Sequence, residues 1–191
     1  MRLWTVLAIV CSIMSLAPKT SAAMEEVDIL AVFARAAAEG RIGTARKTRP
    51  VDVRRAVPGE VVVTMIKGEG VETRSKPAEA GDFVVRNRCP ETGDEQYLVK
   101  AATFRNRYAD PQLPADFSRW QEVRPIGPEL SFMILSNEGP YTFQAPWGEM
   151  MIARPGDAIV QDPNNPADTY RVARASFECT YEIVQKPAKE G

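Results

Sequence analysis

The sequence contains no histidine among its 191 residues. This absence excludes Ser-His-Asp and Cys-His nucleophile systems, histidine proton shuttles and nearly all zinc and copper sites of the usual types. A phosphate-binding loop is missing too, because the turn at Gly68 and Gly70 lacks the lysine and the following helix that such a loop requires. Asp157, Asp162 and Asp168 lack the bidentate glutamate and central glycine of an EF-hand. We therefore expect no metal and no cofactor.

Long apolar runs are scarce, and the main one lies at the start of the chain. Arg2 precedes the apolar run 3–16, and small residues follow at 21–23, so residues 1–23 are predicted to be a cleaved secretory signal. The run is shorter than the about 20 apolar residues of a membrane-spanning helix. Removal of the signal takes away Arg2 and Lys19 and leaves 22 basic (24 − 2) against 25 acidic residues, and this net charge of about −3 predicts no bulk attraction to nucleic acid or to a membrane surface. We expect a periplasmic or secreted protein with no integral membrane segment after processing.

Cysteine is also rare, and only Cys89 and Cys179 remain once the signal is removed. In an oxidising compartment an even pair of cysteines favours a disulfide. Two unpaired thiols, one of them a small buried hydrophobic side chain, are the alternative. A bond between Cys89 and Cys179 would join the two copies of the unit described next.

The sequence contains an internal repeat of one structural unit. Residues 79–108 and 154–181 share a Gly-Asp pair, a β-branched run, a polar loop, a tyrosine two residues before a valine, and two aromatic residues four apart. Self-similarity of this kind indicates a duplicated unit and does not identify a function. The matching residues are Gly81 and Gly156, Asp82 and Asp157, Val84 and Ile159, Val85 and Val160, Tyr97 and Tyr170, Val99 and Val172, Phe104 and Phe177, and Tyr108 and Tyr181.

These patterns predict a mostly β (α+β) protein, with two pseudo-symmetric antiparallel β repeats plus one N-terminal helix. A barrel and a pair of packed sheets both remain open. Residues 25–38 carry a helical apolar stripe, the basic residues of 41–55 indicate a solvated connector, and the run 130–135 corresponds to the strand predicted at 61–66. The predicted segments are the signal at 1–23, the N-terminal helix and basic connector at 24–57, the first β repeat at 58–109, a proline-rich linker at 110–128, the second β repeat at 129–185 and a tail at 186–191.

The second copy resembles small bacterial and phage proteins named for a PGDYG motif. It has a Pro-Gly-Asp turn, a β run, a polar loop, Tyr-x-Val and then Phe-x-x-x-Tyr, although Ala158 and Ile159 replace the Tyr-Gly of the motif. The resemblance covers about a third of the chain and implies a fold unit with no catalytic residues. The overall layout is similar to that of exported bacterial proteins without an assigned role. In the first copy only Gly81 and Asp82 match the motif. The resemblance depends on Pro155, Gly156, Asp157, Tyr170, Val172, Phe177 and Tyr181.

Two sets of residues are candidates for function. Asp82 and Asp157 hold equivalent positions in the two copies, so an interface between the copies would let them act as paired carboxylates in an acid-type hydrolase. Each is otherwise expected to cap its own turn. The Pro-Trp-Gly tip has no counterpart in the first copy and predicts an exposed aromatic ring, although this ring can instead fold back over its own hairpin. The candidate contact residues are Trp120, Tyr141, Phe143 and Trp147.

The sequence thus favours a non-enzymatic binding or scaffold module. Aromatic rings at an exposed tip suit stacking on sugar rings or contact with a protein, so the expected partner is a cell-wall glycan or another periplasmic protein. The paired-carboxylate hydrolase is the alternative from a different class. It requires Asp82 and Asp157 to lie within about 5 Å of one another, at least one of them with a raised pKa.

Overall fold

The computed structural model describes residues 24–108, 117–136 and 139–189. In these ranges the chain forms mainly antiparallel β-sheet, as the apolar patterns predict, and no helix among them is both long and apolar enough to cross a membrane. The predicted signal at 1–23 lies outside the described residues. The elements in chain order are β1 Glu25–Glu26, α1 Ile29–Ala38, β2 Gly43–Lys47, β3 Val51–Arg55, β4 Val63–Ile66, β5 Gly70–Arg74, β6 Phe83–Asn87, β7 Gln96–Val99, α2 Ala101–Arg107, β8 Gln121–Val123, β9 Leu130–Ile134, β10 Tyr141–Gln144, β11 Met150–Ala153, β12 Ala158–Asp162, β13 Asn165–Val172, α3 Arg174–Thr180 and β14 Tyr181–Gln185.

The strands form separate sheets that do not close into a barrel within the described ranges. A five-stranded sheet has the order β13-β12-β9-β2-β14, a four-stranded sheet has the order β7-β6-β3-β8, and a three-stranded sheet has the order β1-β10-β11. β4 and β5 form a hairpin of their own. Every pairing is antiparallel except that of β1 with β10.

Two parts of the chain have the same succession of elements, and we call β3–β8 with α2 the first half and β9–β14 with α3 the second half. In the first half β6 pairs with β3 and β7, and in the second half β12 pairs with β9 and β13. Val85 faces Tyr97 in one pair of strands, and Val160 faces Tyr170 in the other. The turn before each central strand contains a glycine with a φ of +94°, a conformation that strongly favours glycine.

The pairing corrects one correspondence drawn from the sequence. β9 lies beside β12 as β3 lies beside β6, so the counterpart of β9 is β3 and not the predicted strand at 61–66. β3 lies in the segment 41–55 that was predicted to be a connector, so the first strand recognised in the first copy was the next one, β4. The hairpin β4–β5 follows β3, just as the pair β10–β11 follows β9.

The segment 41–55 is not a solvated connector, and that prediction was wrong. It forms β2 and β3, in which Ala45, Val51 and Val53 are at most 1% exposed. Apolar and polar residues alternate over most of both strands, so one face packs on the core while Arg46 and Arg54 lie on the opposite face. Some of these side chains then pair with acids, as Arg54 does with Glu60 at 2.5 Å.

The predicted linker at 110–128 also contains a strand. β8 pairs with β3 at the edge of the four-stranded sheet, and Val123 is 1% exposed. Residues 109–116 lie outside the described residues.

Each half has its own apolar core. These cores hold in place the strands whose ends line the candidate site. Helix α1 packs on the second half through one buried face, and Asp28 caps it by accepting hydrogen bonds from the Leu30 and Ala31 N–H groups. The first-half core consists of Val51, Val53, Phe83, Val85, Val99, Phe104, Tyr108, Phe117 and Val123. The second-half sheet packs through Ala45, Leu130, Phe132, Ala158, Val160 and Phe177.

Candidate functional site

Asp82 lies in the turn before β6 and is 3% exposed. Its carboxylate accepts hydrogen bonds from the Glu79 N–H (2.9 Å), from the Ala101 N–H at the start of α2 (3.2 Å) and from Lys100 Nζ (2.9 Å). Burial raises the pKa of Asp82, but the hydrogen bonds from Glu79, Lys100 and Ala101 outweigh it and hold the pKa below its ordinary value. Asp82 is therefore a turn and helix cap that stays ionised.

Asp157 makes the same kind of contacts in the second half. It accepts hydrogen bonds from the Arg154 N–H (2.7 Å), from the Arg174 N–H at the start of α3 (3.0 Å) and from Arg171 Nε (2.7 Å). Asp82 and Asp157 thus belong to separate hydrogen-bond sets. The lowered pKa of Asp82 is the opposite of what proton donation by a carboxyl group requires, so the arrangement does not favour the paired-carboxylate chemistry.

The four aromatic candidates do not form one exposed surface. Tyr141 and Phe143 are 8% and 1% exposed and belong to the core beneath α1, so their prediction as contact residues was wrong. Both lie on β10 at alternate positions, which places them on the same buried face. Trp120 packs between two guanidinium groups, with Arg54 Cζ 5.1 Å and Arg86 Cζ 4.5 Å from its ring centre.

Trp147 is the exposed member of the set. It lies in the turn between β10 and β11 and is 42% exposed. Its indole N–H donates to Glu149 Oε2 at 3.2 Å, and its ring centre lies 5.7 Å from that of Tyr170 on β13. The ring is therefore held against the second half with much of its surface accessible.

Trp147 lies on the wall of a cleft of about 830 Å³ between the two halves. The first half contributes β5, β7 and α2, and the second half contributes the Trp147 turn, β13 and the start of α3. A volume of this size is typical of small-molecule sites. The residues that line it include Lys47, Tyr97, Arg107, Trp147, Tyr170 and Arg171.

Arg171 joins the two halves on one side of the cleft. Its side chain is 2% exposed and contacts Asp157 at 2.7 Å, Glu72 at 2.6 Å and Glu69 at 2.5 Å. Burial raises the pKa of Glu72 to about 7, although the positive charge of Arg171 acts to lower it. A buried guanidinium surrounded by carboxylates in this way fixes the hairpin β4–β5 against β13.

Arg107 makes a second bridge across the cleft. It extends from α2 to β13, where it donates to Tyr170 Oη at 2.9 Å and pairs with Asp168. Its guanidinium also lies 5.5 Å from the Tyr170 ring centre. Tyr170 is thus held between Arg107 and Trp147 at a fixed place on the wall.

Lys47 reaches from β2 in the five-stranded sheet to the four-stranded sheet. Its Nζ donates to Asn87 Oδ1 and to Tyr97 Oη, both at 2.7 Å. Burial lowers the pKa of Lys47 to about 7, with the nearby Glu95 acting to raise it and Arg107 to lower it. Tyr97 Oη in turn lies 3.0 Å from Tyr108 Oη, and burial raises the pKa of Tyr108 to about 12.

Glu95 completes the polar contacts between the halves. It is 5% exposed, and its Oε1 accepts hydrogen bonds from Asn87 Nδ2 and from Ser176 Oγ on α3, both at 2.7 Å. Oε2 accepts from the Thr92 hydroxyl. Three neutral donors therefore satisfy this buried carboxylate, as a charge removed from water requires.

The disulfide Cys89–Cys179 ties the halves covalently, with the two Cα atoms 6.2 Å apart. Glu91 lies beside it, its Oε2 3.5 Å from Cys89 Sγ and 3.7 Å from Cys179 Sγ. Within the described ranges these three form the grouping closest to a metal-ligand set, but the sulfur atoms are bonded to each other. The disulfide prediction is thus confirmed in the structure.

Lys47, Arg107, Arg171 and the cleft tyrosines were not identified as site residues from the sequence. Tyr97 and Tyr170 were recognised only as equivalent positions, as were Tyr108 and Tyr181. The ring of Tyr108 is buried in the first-half core, but its hydroxyl belongs to the polar contacts of the cleft wall. The usable signal was the recurrence of tyrosine at matching positions, since a purely apolar core does not need the hydroxyl group.

Comparison of the chain with protein-family models, with curated proteins and with solved structures finds no match.

Proposed function

We propose that this protein is an exported, non-enzymatic binding module whose ligand occupies the cleft between two repeats of one structural unit. The observation that carries the proposal is the half-exposed ring of Trp147 on the wall of a cleft of about 830 Å³. Exposed tryptophan beside fixed polar groups is typical of binding sites.

The ligand class that best fits the cleft is a cell-wall glycan. A sugar ring has an apolar face that stacks on an indole and a rim of hydroxyl groups that needs donors and acceptors. Trp147 supplies the ring, and Tyr97, Tyr170 and Arg107 supply polar groups nearby. Acidic and basic side chains both line the cleft, for example Glu149 and Lys76, so the lining does not select for a ligand of one charge.

The duplication of the unit is supported by pairing and by capping. In both halves the central strand has neighbours in the same order and register. Asp82 and Asp157 each accept from an amide three residues earlier and from the first amide of the following helix. Two equivalent units packed against one another leave a cleft at their junction, where the candidate site lies.

Export is supported by the pattern of residues 1–23 and by the disulfide Cys89–Cys179. Expression of the full chain in a bacterial host, followed by fractionation and intact-mass measurement, tests it. We expect a periplasmic product that begins near Met24. A cytoplasmic product of full mass would contradict export without affecting the cleft.

Calorimetric titration with soluble disaccharide-peptide fragments of cell-wall glycan tests the binding. We expect saturable binding that weakens about tenfold or more in Trp147→Ala, while Trp147→Phe retains most of the affinity because a ring is still present. Ile126→Ala, which removes a 51% exposed side chain that does not line the cleft, is the matched control and should leave the affinity unchanged. Absence of saturable binding in the wild type, or an equal loss in Ile126→Ala, would refute the glycan proposal.

A further inference from the structure

Lys47 is a partly buried lysine, and among the described residues no carboxylate is hydrogen-bonded to its amine. Its Nζ lies 2.7 Å from two neutral oxygens, Asn87 Oδ1 and Tyr97 Oη, and no ion pair to it is present within the described ranges. Lys100, in the same cleft, shows the ordinary arrangement, with Nζ 2.9 Å from Asp82 and 3.1 Å from Glu79. A lysine whose role is to neutralise an acid is expected to resemble Lys100.

The surroundings of Lys47 disfavour the ammonium form. The groups that face it are Glu95, Tyr97 and Arg107 from the first half, together with Tyr108 at the end of α2 and Tyr181 opposite it on β14. Burial is the largest influence and lowers the pKa of Lys47 to about 7. An uncharged, nucleophilic amine is therefore more readily available at Lys47 near neutral pH than at an ordinary surface lysine.

Lys47 is also part of the lining of the cleft. Lys47 and Tyr97 both line the 830 Å³ cleft, and Nζ lies 5.2 Å from the Tyr97 ring centre. A small molecule bound in the cleft can therefore reach the amine while it contacts a tyrosine hydroxyl.

We propose that Lys47 is a carbonyl-reactive amine that captures ligands bearing an aldehyde or ketone group as an imine. The nitrogen lone pair attacks the carbonyl carbon and forms the C–N bond. The carbonyl oxygen then leaves as water with the two hydrogens of the amine, and the C=N bond forms. Tyr97 Oη, which is already hydrogen-bonded to Nζ, is placed to pass a proton to the departing oxygen.

The inference goes beyond glycan binding and stands without it. Trp147 and Lys47 belong to different parts of the cleft, since one lies in the turn after β10 and the other at the end of β2. A ligand can thus stack on Trp147 without reacting, and a small aldehyde can react with Lys47 without stacking.

A purely structural role for Lys47 makes a different prediction. Lys47 connects the five-stranded sheet to Asn87 and Tyr97 of the four-stranded sheet, and a lysine that only connects sheets need not react. Loss of stability in a Lys47 variant does not separate the two roles. The rate of covalent modification in the wild-type protein does.

Reductive trapping of the folded wild-type protein with propanal and sodium cyanoborohydride, followed by site-resolved mass spectrometry, tests the proposal. At pH 7 we expect Lys47 to be alkylated at least tenfold faster than Lys76, the rim lysine of the same cleft, and Lys100. The Lys47 rate should rise with pH to a half-maximal value near pH 7, because only the uncharged amine reacts. Tyr97→Phe should slow trapping at Lys47, and Ile126→Ala, at a side chain that does not line the cleft, should leave it unchanged.

Two results would overturn the proposal. The first is a Lys47 rate no higher than that of Lys76, and the second is modification of Lys47 only after denaturation. A Lys47→Arg variant shows that the mapped modification belongs to this residue. If Lys47 is not trapped but the protein shows saturable glycan binding, the imine proposal fails and the binding proposal stands. If Lys47 is trapped but no saturable glycan binding is found, only the glycan proposal fails.

Discussion

Arg171 illustrates how strongly single residues are coupled across the two halves. Its three guanidinium nitrogens contact Asp157, Glu69 and Glu72, and the side chain is 2% exposed. Removal of one partner from a buried charge cluster leaves the remaining charges without compensation, which costs far more than the cluster contributes as a whole.

Replacement of Arg171 by methionine should lower the free energy of unfolding by about 3–5 kcal/mol, because Asp157 and Glu72 lose their buried counter-charge. The loss should be smaller at pH 5 than at pH 8, since Glu72, whose pKa is already raised to about 7 by burial, can become neutral there. Urea denaturation at both pH values measures this. Arg174→Met, at a side chain that is 69% exposed, should change stability by less than about 0.5 kcal/mol. Equal effects of the two substitutions would contradict the role of Arg171 as the counter-charge of these buried carboxylates.

At the scale of elements, each capping aspartate makes one contact that could be predicted from the sequence and one that could not. The prediction of Asp82 and Asp157 as turn caps is confirmed, because each accepts from an amide only three residues away. The second contact of each, to the first amide of a helix, spans 19 residues in one case and 17 in the other. The turn contact depends only on residues close in sequence. The contact with the helix depends on the pairing of β7 and β13 with their neighbouring strands, which brings the start of each helix back to the turn.

Asp82→Ala should destabilise the fold by about 1–3 kcal/mol, because the Glu79 and Ala101 amides lose their acceptor and Lys100 loses one of its two counter-charges. Asp82→Asn should cost less, since an oxygen acceptor remains. The folded-state pKa of Asp82 is depressed, so its contribution is present above the ordinary carboxyl pKa and is lost as the pH falls through the folded value. The stability difference between wild type and Asp82→Ala should therefore shrink on acidification, as thermal or urea unfolding would show. A difference that does not change with pH would contradict the cap.

For the molecule as a whole, the sequence indicated β-sheet and a disulfide between the halves but not a cleft. The disulfide was predictable because only Cys89 and Cys179 lie beyond the predicted signal, and two cysteines have one intramolecular pairing. The cleft was not, since Lys47, Arg107 and Tyr170 come from distant parts of the chain and none is unusual in its local pattern. The solvated-connector prediction failed for the related reason that a basic strand looks polar until its partners, such as Glu60 for Arg54, are known.

Replacement of both Cys89 and Cys179 by alanine should lower the free energy of unfolding by about 2–5 kcal/mol, because the bond closes a long loop in the unfolded chain. Alkylation of the wild-type protein without reductant should reveal no free thiol in the monomer, and two after reduction. Each single alanine variant should lose as much stability as the double variant, since either one abolishes the bond. Full stability in the double variant would show that the non-covalent contacts alone hold the halves together.

The separation of 90 residues between the bonded cysteines also determines how the chain behaves when it is cut. A protease that cleaves one peptide bond anywhere between residues 90 and 178 produces two fragments that the disulfide still joins. The nicked protein keeps its mass, apart from one added water, and migrates as a single species until a thiol reductant separates the pieces. As long as no reductant is present, one cleavage in this long stretch would therefore not release either half of the cleft.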